Sequence, residues 1–254
     1  MYIQVKQTLI LVFSVSILFG ALVASAQTPQ IPQIILRYNV REPFIVQDKG
    51  TIKGLVGEPT IKAFAKAGIP YSLVENPPLR QLALLESGHN LDCSTGWFRT
   101  PERIKKYKYT DAVQDDGPWV LIGHKGTIDP KITTAEELLK KPKLKQLVRL
   151  NYSMGVYLDS MIVKYKVTTF PVEAGTLNLL EIVKSGRADY YFMPESEKTY
   201  VFKKQGFSES DFVILNLSDL PSDNSRHIIC SKKVPDAIIE KLNKAILEGR
   251  VTAK

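Results

Sequence analysis

Two stretches of this chain share one pattern. Leu82-Ala83-Leu84-Leu85-Glu86-Ser87-Gly88 leads to Asp92 and an apolar strand, and Leu179-Leu180-Glu181-Ile182-Val183-Lys184-Ser185-Gly186 leads to Asp189 and another. In each, an apolar helix stops at a glycine and an aspartate opens a buried strand. Around these units, short apolar runs and helical periods keep alternating. That alternation restricts the chain to α/β layers, with mostly parallel strands expected. Two similar units within about 220 residues suggest two lobes rather than one extended sheet.

The spacing predicts strands at 34–38, 70–74, 91–95, 119–123, 147–150, 168–172, 189–193, 212–215 and 227–230. It predicts helices at 58–67, 78–87, 154–166, 176–184, 196–204 and 235–247. Thr134-Ala135-Glu136-Glu137 has the T-x-x-E form of a capping box.

Residues 1–26 read as a secretory signal. Lys6 is the only charge before Arg37, the run from Leu9 to Val23 is apolar apart from Ser14, Ser16 and Gly20, and Ala24-Ser25-Ala26 gives a small-x-small cleavage pattern. The apolar run is short of the roughly 20 residues that span a bilayer. The expectation is export, cleavage near Ala26 and a soluble mature chain in the periplasm. No cysteine lies near residue 26, which speaks against a lipid anchor.

The full chain of 254 residues carries a net charge of +8, and +7 once residues 1–26 and their single lysine are removed. The basic residues are spread out, and the densest stretch, from Lys140 to Arg149, reads as a solvated face. Excess positive charge suits nucleic acid, an anionic membrane or an anionic ligand, and export places nucleic acid third among them. His89, His124 and His227 share no ligand-like spacing, so neither a metal nor a cofactor is expected. HExxH, GxxxxGK[ST], GxSxG and GxGxxG are all absent. Cys93 and Cys230 fall in two different predicted strands. Buried free thiols are the simpler reading, and whether the two touch stays open.

Gly96-Trp97-Phe98-Arg99-Thr100-Pro101-Glu102-Arg103, followed by Lys106-Tyr107-Lys108-Tyr109-Thr110, resembles the T-P-E-R signature of the family 3 extracellular solute-binding proteins. Further marks follow in that family's order. They are Glu42-Pro43-Phe44, Lys49-Gly50 with Gly54, Arg80 with Gly88 and Asp92, Ser185-Gly186-Arg187-Ala188-Asp189, and the closing helix from Lys232 to Leu247. The resemblance implies a type II periplasmic-binding-protein fold: two α/β lobes with the ligand cleft between them. Lobe 1 would take 33–119 plus 225–254, and lobe 2 would take 120–224.

The resemblance implies a ligand set. Arg103 would hold a carboxylate, as a planar guanidinium does well in a dry cleft. Gly96, Trp97 and Phe98 would line the cleft, with Phe44 as wall or core. Arg41 is a second anion contact or an exposed loop charge, and Arg80 faces cleft or solvent. In lobe 2, Ser153 would sit at a helix N-terminus that meets the anion, or act only as an N-cap, with Tyr152 and Tyr157 as walls. Family members that bind amino acids place an aspartate for the ammonium group at the position of Pro194, and Glu195 is the nearest substitute. That departure points away from a standard α-amino acid and toward another organic anion.

The implied function is capture of a small carboxylate-bearing solute, by a monomer, for uptake by an ABC-type transporter. The alternative is a sensor module that presents ligand state to a membrane partner. A dehydratase-like enzyme on the same fold would need a positioned acid or base, for which Glu195, Glu58 and His227 are the only evident candidates. The expectation is therefore no enzyme.

Overall fold

The computed structural model describes residues 31–173 and 176–251, and the predicted leader lies outside the described residues. The chain runs through β1 (Ile34–Tyr38), β2 (Val46–Asp48), β3 (Thr51–Lys53), α1 (Gly54–Lys66), β4 (Tyr71–Glu75), α2 (Pro78–Ser87), β5 (Asp92–Trp97), α3 (Pro101–Lys106) and β6 (Lys108–Asp115). It continues through β7 (Trp119–Gly123), α4 (Ala135–Leu139), β8 (Lys145–Arg149), α5 (Val156–Lys164), β9 (Thr168–Val172), α6 (Thr176–Lys184), β10 (Tyr190–Pro194), α7 (Glu195–Gln205) and β11 (Val213–Leu215). It closes with β12 (Ser225–Cys230) and α8 (Asp236–Val251).

Two five-stranded sheets result, in the orders β4-β1-β5-β12-β6 and β11-β7-β10-β8-β9, with β2 and β3 as a separate hairpin. Neither large sheet is mostly parallel, which corrects the expectation. β12 runs antiparallel to β5 and β6, while β7 runs antiparallel to β10 and β11. The reason is connectivity: in each sheet the strand that enters from the other lobe, β12 in the first and β7 in the second, runs opposite to its four companions. The chain passes between the sheets twice, at 116–118 and at 216–224, and the Asp116 amide donates to the Asn224 carbonyl at 2.9 Å. This bond ties the two crossing segments together.

Strand alternation builds the cores. In β7, Trp119 and Leu121 enter one core with Tyr190 and Phe192 of β10, while Val120 and Ile122 enter the opposite core with Tyr191 and Met193. Both strands are buried on both faces and so read as continuous apolar runs. α4 and α5 cover one side, and α6 and α7 cover the other. In the first lobe, Ile34, Leu36 and Tyr38 of β1 pack with Phe64 of α1 and Ile238 and Leu242 of α8. Each such side chain taken from water contributes about 1.5–3 kcal/mol.

Cys93 and Cys230 are bonded, which corrects the free-thiol reading. They lie opposite one another on β5 and β12, both fully buried. A spacing of 137 residues hides this neighbourhood from the sequence.

No helix among the described residues is long and apolar enough to cross a membrane.

Candidate functional site

The loop after β1 is held in place by the start of α1. No side chain caps this helix. Instead its first amides turn to the preceding loop: Leu55 N–H donates to Pro43 O at 3.0 Å, and Val56 N–H to Phe44 O at 2.8 Å. The turn closes at Gly54, where φ is +94° and a Cβ would run into the Pro43 carbonyl. Arg41 and Ile45 exchange both backbone hydrogen bonds, at 2.8 and 2.9 Å. Phe44 is thereby fixed as both core and cleft wall.

A cleft of about 500 Å³, including open solvent at its mouth, lies between the sheets. Arg41, Phe44, Gly96, Trp97, Phe98 and Arg103 line it from the first lobe, with Tyr152 and Ser153 from the second. The structure thus brings together eight of the eleven residues picked from the sequence. Arg80 is exposed on α2 and outside this cleft. Tyr157 lines a different hollow, beside Phe98 and His227, and donates to Asp219 at 2.8 Å. Burial, reinforced by Asp219, pushes its phenol up to about 12. Glu195 does not line the cleft and pairs with Lys198 at 2.7 Å.

The T-P-E-R segment reads physically as a helix start. Thr100 Oγ1 accepts from the Arg103 amide at 3.3 Å, Pro101 opens the helix, and Glu102 sits in its first turn. The Arg103 guanidinium lies 4.8 Å from the centre of the Trp97 ring and donates to Phe98 O at 3.4 Å. Among the described residues no carboxylate lies within 4 Å of it. Burial pulls its pKa down, with Tyr109 and Asp159 opposing from a distance. A guanidinium stays charged regardless, so the cleft holds a partly desolvated cation without an acid in contact.

Arg41 is not an exposed loop charge: it lines the cleft and its side chain is 10% exposed. Its Nη2 pairs with Glu197 Oε2 at 2.8 Å, across the cleft, and Glu197 is fully buried. Arg149 Nη1 stands 3.9 Å from the other Glu197 oxygen. Both guanidiniums lie on the Tyr152 ring, at 5.2 and 4.3 Å. Burial alone would lower the Arg41 pKa, but Glu197, Tyr191 and Tyr152 hold it above its ordinary value.

Ser153 does line the cleft, yet its hydroxyl donates to Asp159, which also accepts from the Met154 amide at 2.9 Å. The Ser153 hydroxyl is therefore already taken by a carboxylate of α5, and no side chain caps that helix. Burial raises the Asp159 pKa against those two hydrogen bonds.

Sequence reasoning missed Arg226, Asn39 and Glu197. Arg226 lines the cleft from β12, grips Asp116 through Nε and Nη2 at 2.6 and 2.7 Å, and lies on the Phe44 and Phe98 rings. Burial lowers its pKa, and Asp116 opposes this. Asn39 donates to the Tyr152 hydroxyl at 2.8 Å, a bond between lobes. Behind it, Gln81 joins Asn39 to Ser94, which accepts from Trp97 Nε1 at 2.6 Å. The charged partners of these residues lie 110 and 156 positions away, beyond any spacing signal. For Arg226 the available signal was a charge at the head of an apolar strand.

No protein-family model and no curated sequence matches the chain. Solved structures do. An ancestral arginine-binding protein bound to arginine matches at TM-score 0.66 and 19% identity, over 88% of this chain and 95% of that one. A structure described for glutathione import via GshT and the cystine ABC importer TcyBC of Streptococcus mutans matches at 0.68 and 16%, over 88% and 91%. The ancestral amino-acid-binding protein AncCDT-1, a precursor of cyclohexadienyl dehydratase, matches at 0.63 and 19%, over 87% and 91%. Two sheets, two crossing segments and a cleft between them give this chain the two-lobed periplasmic-binding-protein fold, the fold of the substrate-binding proteins of amino-acid ABC importers.

Proposed function

We propose that the chain is an exported solute-binding protein that closes two lobes on a small carboxylate-bearing solute and presents it, as a monomer, to an ABC-type importer. The observation that carries this reading is Arg103: a guanidinium in the interlobe cleft, stacked on Trp97, with no acid in contact among the described residues. Such a group gains most from an incoming carboxylate, which it can grip with two parallel hydrogen bonds. Export is supported by the buried disulfide, which forms in oxidising compartments. The binding proteins named above have the same fold and bind amino acids or work with importers, which supports the same use here. The carboxylates nearest the cleft are engaged in hydrogen bonds or ion pairs, Glu197 to Arg41, Asp116 to Arg226 and Asp159 to Ser153, which favours a binder over an acid–base catalyst.

A thermal-shift panel of carboxylates, amino acids, peptides and sugars tests the reading. A ligand at a hundred times its Kd adds about 2.7 kcal/mol to stability. The expected result is a shift with one carboxylate class that Arg103→Ala abolishes. A shift only with neutral sugars would count against it.

A further inference from the structure

We propose that Arg41 sets the charge class of the solute: by occupying Glu197, it makes the cleft take a carboxylate on an unaminated, largely apolar body and reject the matching α-amino acid. This rests on the solute-binding reading.

Four guanidiniums, Arg41, Arg103, Arg149 and Arg226, stand in or beside the cleft against three carboxylates, Asp116, Asp159 and Glu197. Each carboxylate has at least one oxygen engaged, and the Oε1 of Glu197, which carries no hydrogen bond, is buried. Asp116 is gripped twice by Arg226, at 2.6 and 2.7 Å. Asp159 accepts from Ser153 and the Met154 amide. Glu197 faces Arg41 at 2.8 Å and Arg149 at 3.9 Å. An added anion meets Arg103, which has no acid within 4 Å among the described residues. An added cation meets the guanidiniums of Arg41, Arg103 and Arg226 in the cleft lining.

An ammonium entering this cleft needs a carboxylate, because a buried cation without one is strongly disfavoured. Glu197 is the acid that reaches across the cleft to the loop carrying Arg41. Glu197 is fully buried behind Arg41, so to reach it the ammonium must displace the Arg41 guanidinium, which then sits buried without an acid. Arg41 has little room to retreat. Its backbone is clamped to Ile45, its guanidinium rests on the Phe44 ring at 4.9 Å, and its side chain is 10% exposed. The remaining walls, Ile45, Trp97, Phe98 and Pro78, offer apolar surface to the solute body.

The test uses pairs of solutes that differ only in the α-ammonium: 3-phenylpropionate with L-phenylalanine, glutarate with L-glutamate, and butanoate with L-2-aminobutanoate. Affinities are measured by calorimetry on the wild type, Arg41→Gln and Arg41→Lys. The expected result is at least tenfold preference for the unaminated member of the best-bound pair in the wild type. Arg41→Gln should lose most of that preference by freeing Glu197, and Arg41→Lys, which keeps a cation there, should retain it. Equal or tighter wild-type binding of the amino acid would overturn the inference while leaving the solute-binding reading intact. So would an unchanged ratio in Arg41→Gln. Should Arg41→Gln fail to fold, the wild-type ratio and its retention in Arg41→Lys still decide. Binding of neither member of any pair at millimolar concentration would overturn the solute-binding reading and this inference with it.

Discussion

Replacing Cys93 and Cys230 together with alanine should lower the melting temperature by about 10–20 °C. The bond joins strands whose cysteines are 137 residues apart in sequence, and the loop it closes contains the whole second sheet. In the chain-entropy account, closing a loop of that length removes roughly 17 cal/mol/K from the unfolded ensemble, or about 5 kcal/mol at 25 °C. For a chain of this size each kcal/mol moves the melting point by about 2–4 °C. Circular dichroism melts of the oxidised wild type and the double variant measure the difference. The alanines also remove two buried sulfurs, so a third melt is needed of wild type that has been unfolded, reduced and refolded in dithiothreitol. Both sulfurs are fully buried, so the reductant reaches them through the unfolded chain. The reduced wild type keeps its side chains and should still lose most of the stability. Native-state mass measurement should find the oxidised protein two hydrogens lighter than the reduced form. A melting point within about 2 °C in all three samples, or two free thiols in the native protein, would refute the reasoning.

Two further outcomes follow from the same geometry. Gly54→Ala should destabilise by about 1–3 kcal/mol in a urea titration, because φ is +94° and the new Cβ meets the Pro43 carbonyl; an unchanged midpoint would show that the turn relaxes freely. His227 is held below its ordinary pKa, first by burial, against the pull of Thr110 O at 2.9 Å. The unfolded chain therefore binds a proton below about pH 6.5 that the folded chain refuses, so this residue costs stability as pH falls through that value. Melting temperatures of the wild type should drop more than those of His227→Gln between pH 7 and 5, and parallel curves would contradict the assignment.

Much of the fold was legible because apolar residues repeat with the period of the element that buries them. The bounds of β1, β7, β9, α2 and α6 coincide with the predicted ones, and each has a clean apolar face or a glycine or proline at its end. The hairpin β2–β3 was not legible, since three-residue strands carry no measurable period. Nor was β6, whose sequence Lys-Tyr-Thr-Asp-Ala-Val-Gln-Asp is half exposed at a sheet edge. The capping box at Thr134 formed only in part. Thr134 Oγ1 accepts from the Glu137 amide at 3.1 Å, but Glu137 reaches the Thr133 amide instead of its own cap. In the site, the residues carried by one continuous segment, Gly96 to Arg103, were readable. Glu195 was read in place of Glu197 for a geometric reason. Two residues along a helix turn the side chain by about 200°, so Glu195 faces Lys198 and solvent while Glu197 points inward to Arg41. Ser153 was read as an anion contact because nothing in the local sequence says that Asp159 will take its hydroxyl.

In the proposed function Arg103 receives the solute's carboxylate. Calorimetric titration of wild type and Arg103→Ala with the carboxylate giving the largest thermal shift tests it most directly. Removing one side of a buried, hydrogen-bonded charge pair costs about 2–5 kcal/mol, so the variant should bind at least about 30-fold more weakly while melting, without ligand, close to the wild type. Affinity within about threefold of the wild type would contradict the account and place the carboxylate elsewhere in the cleft.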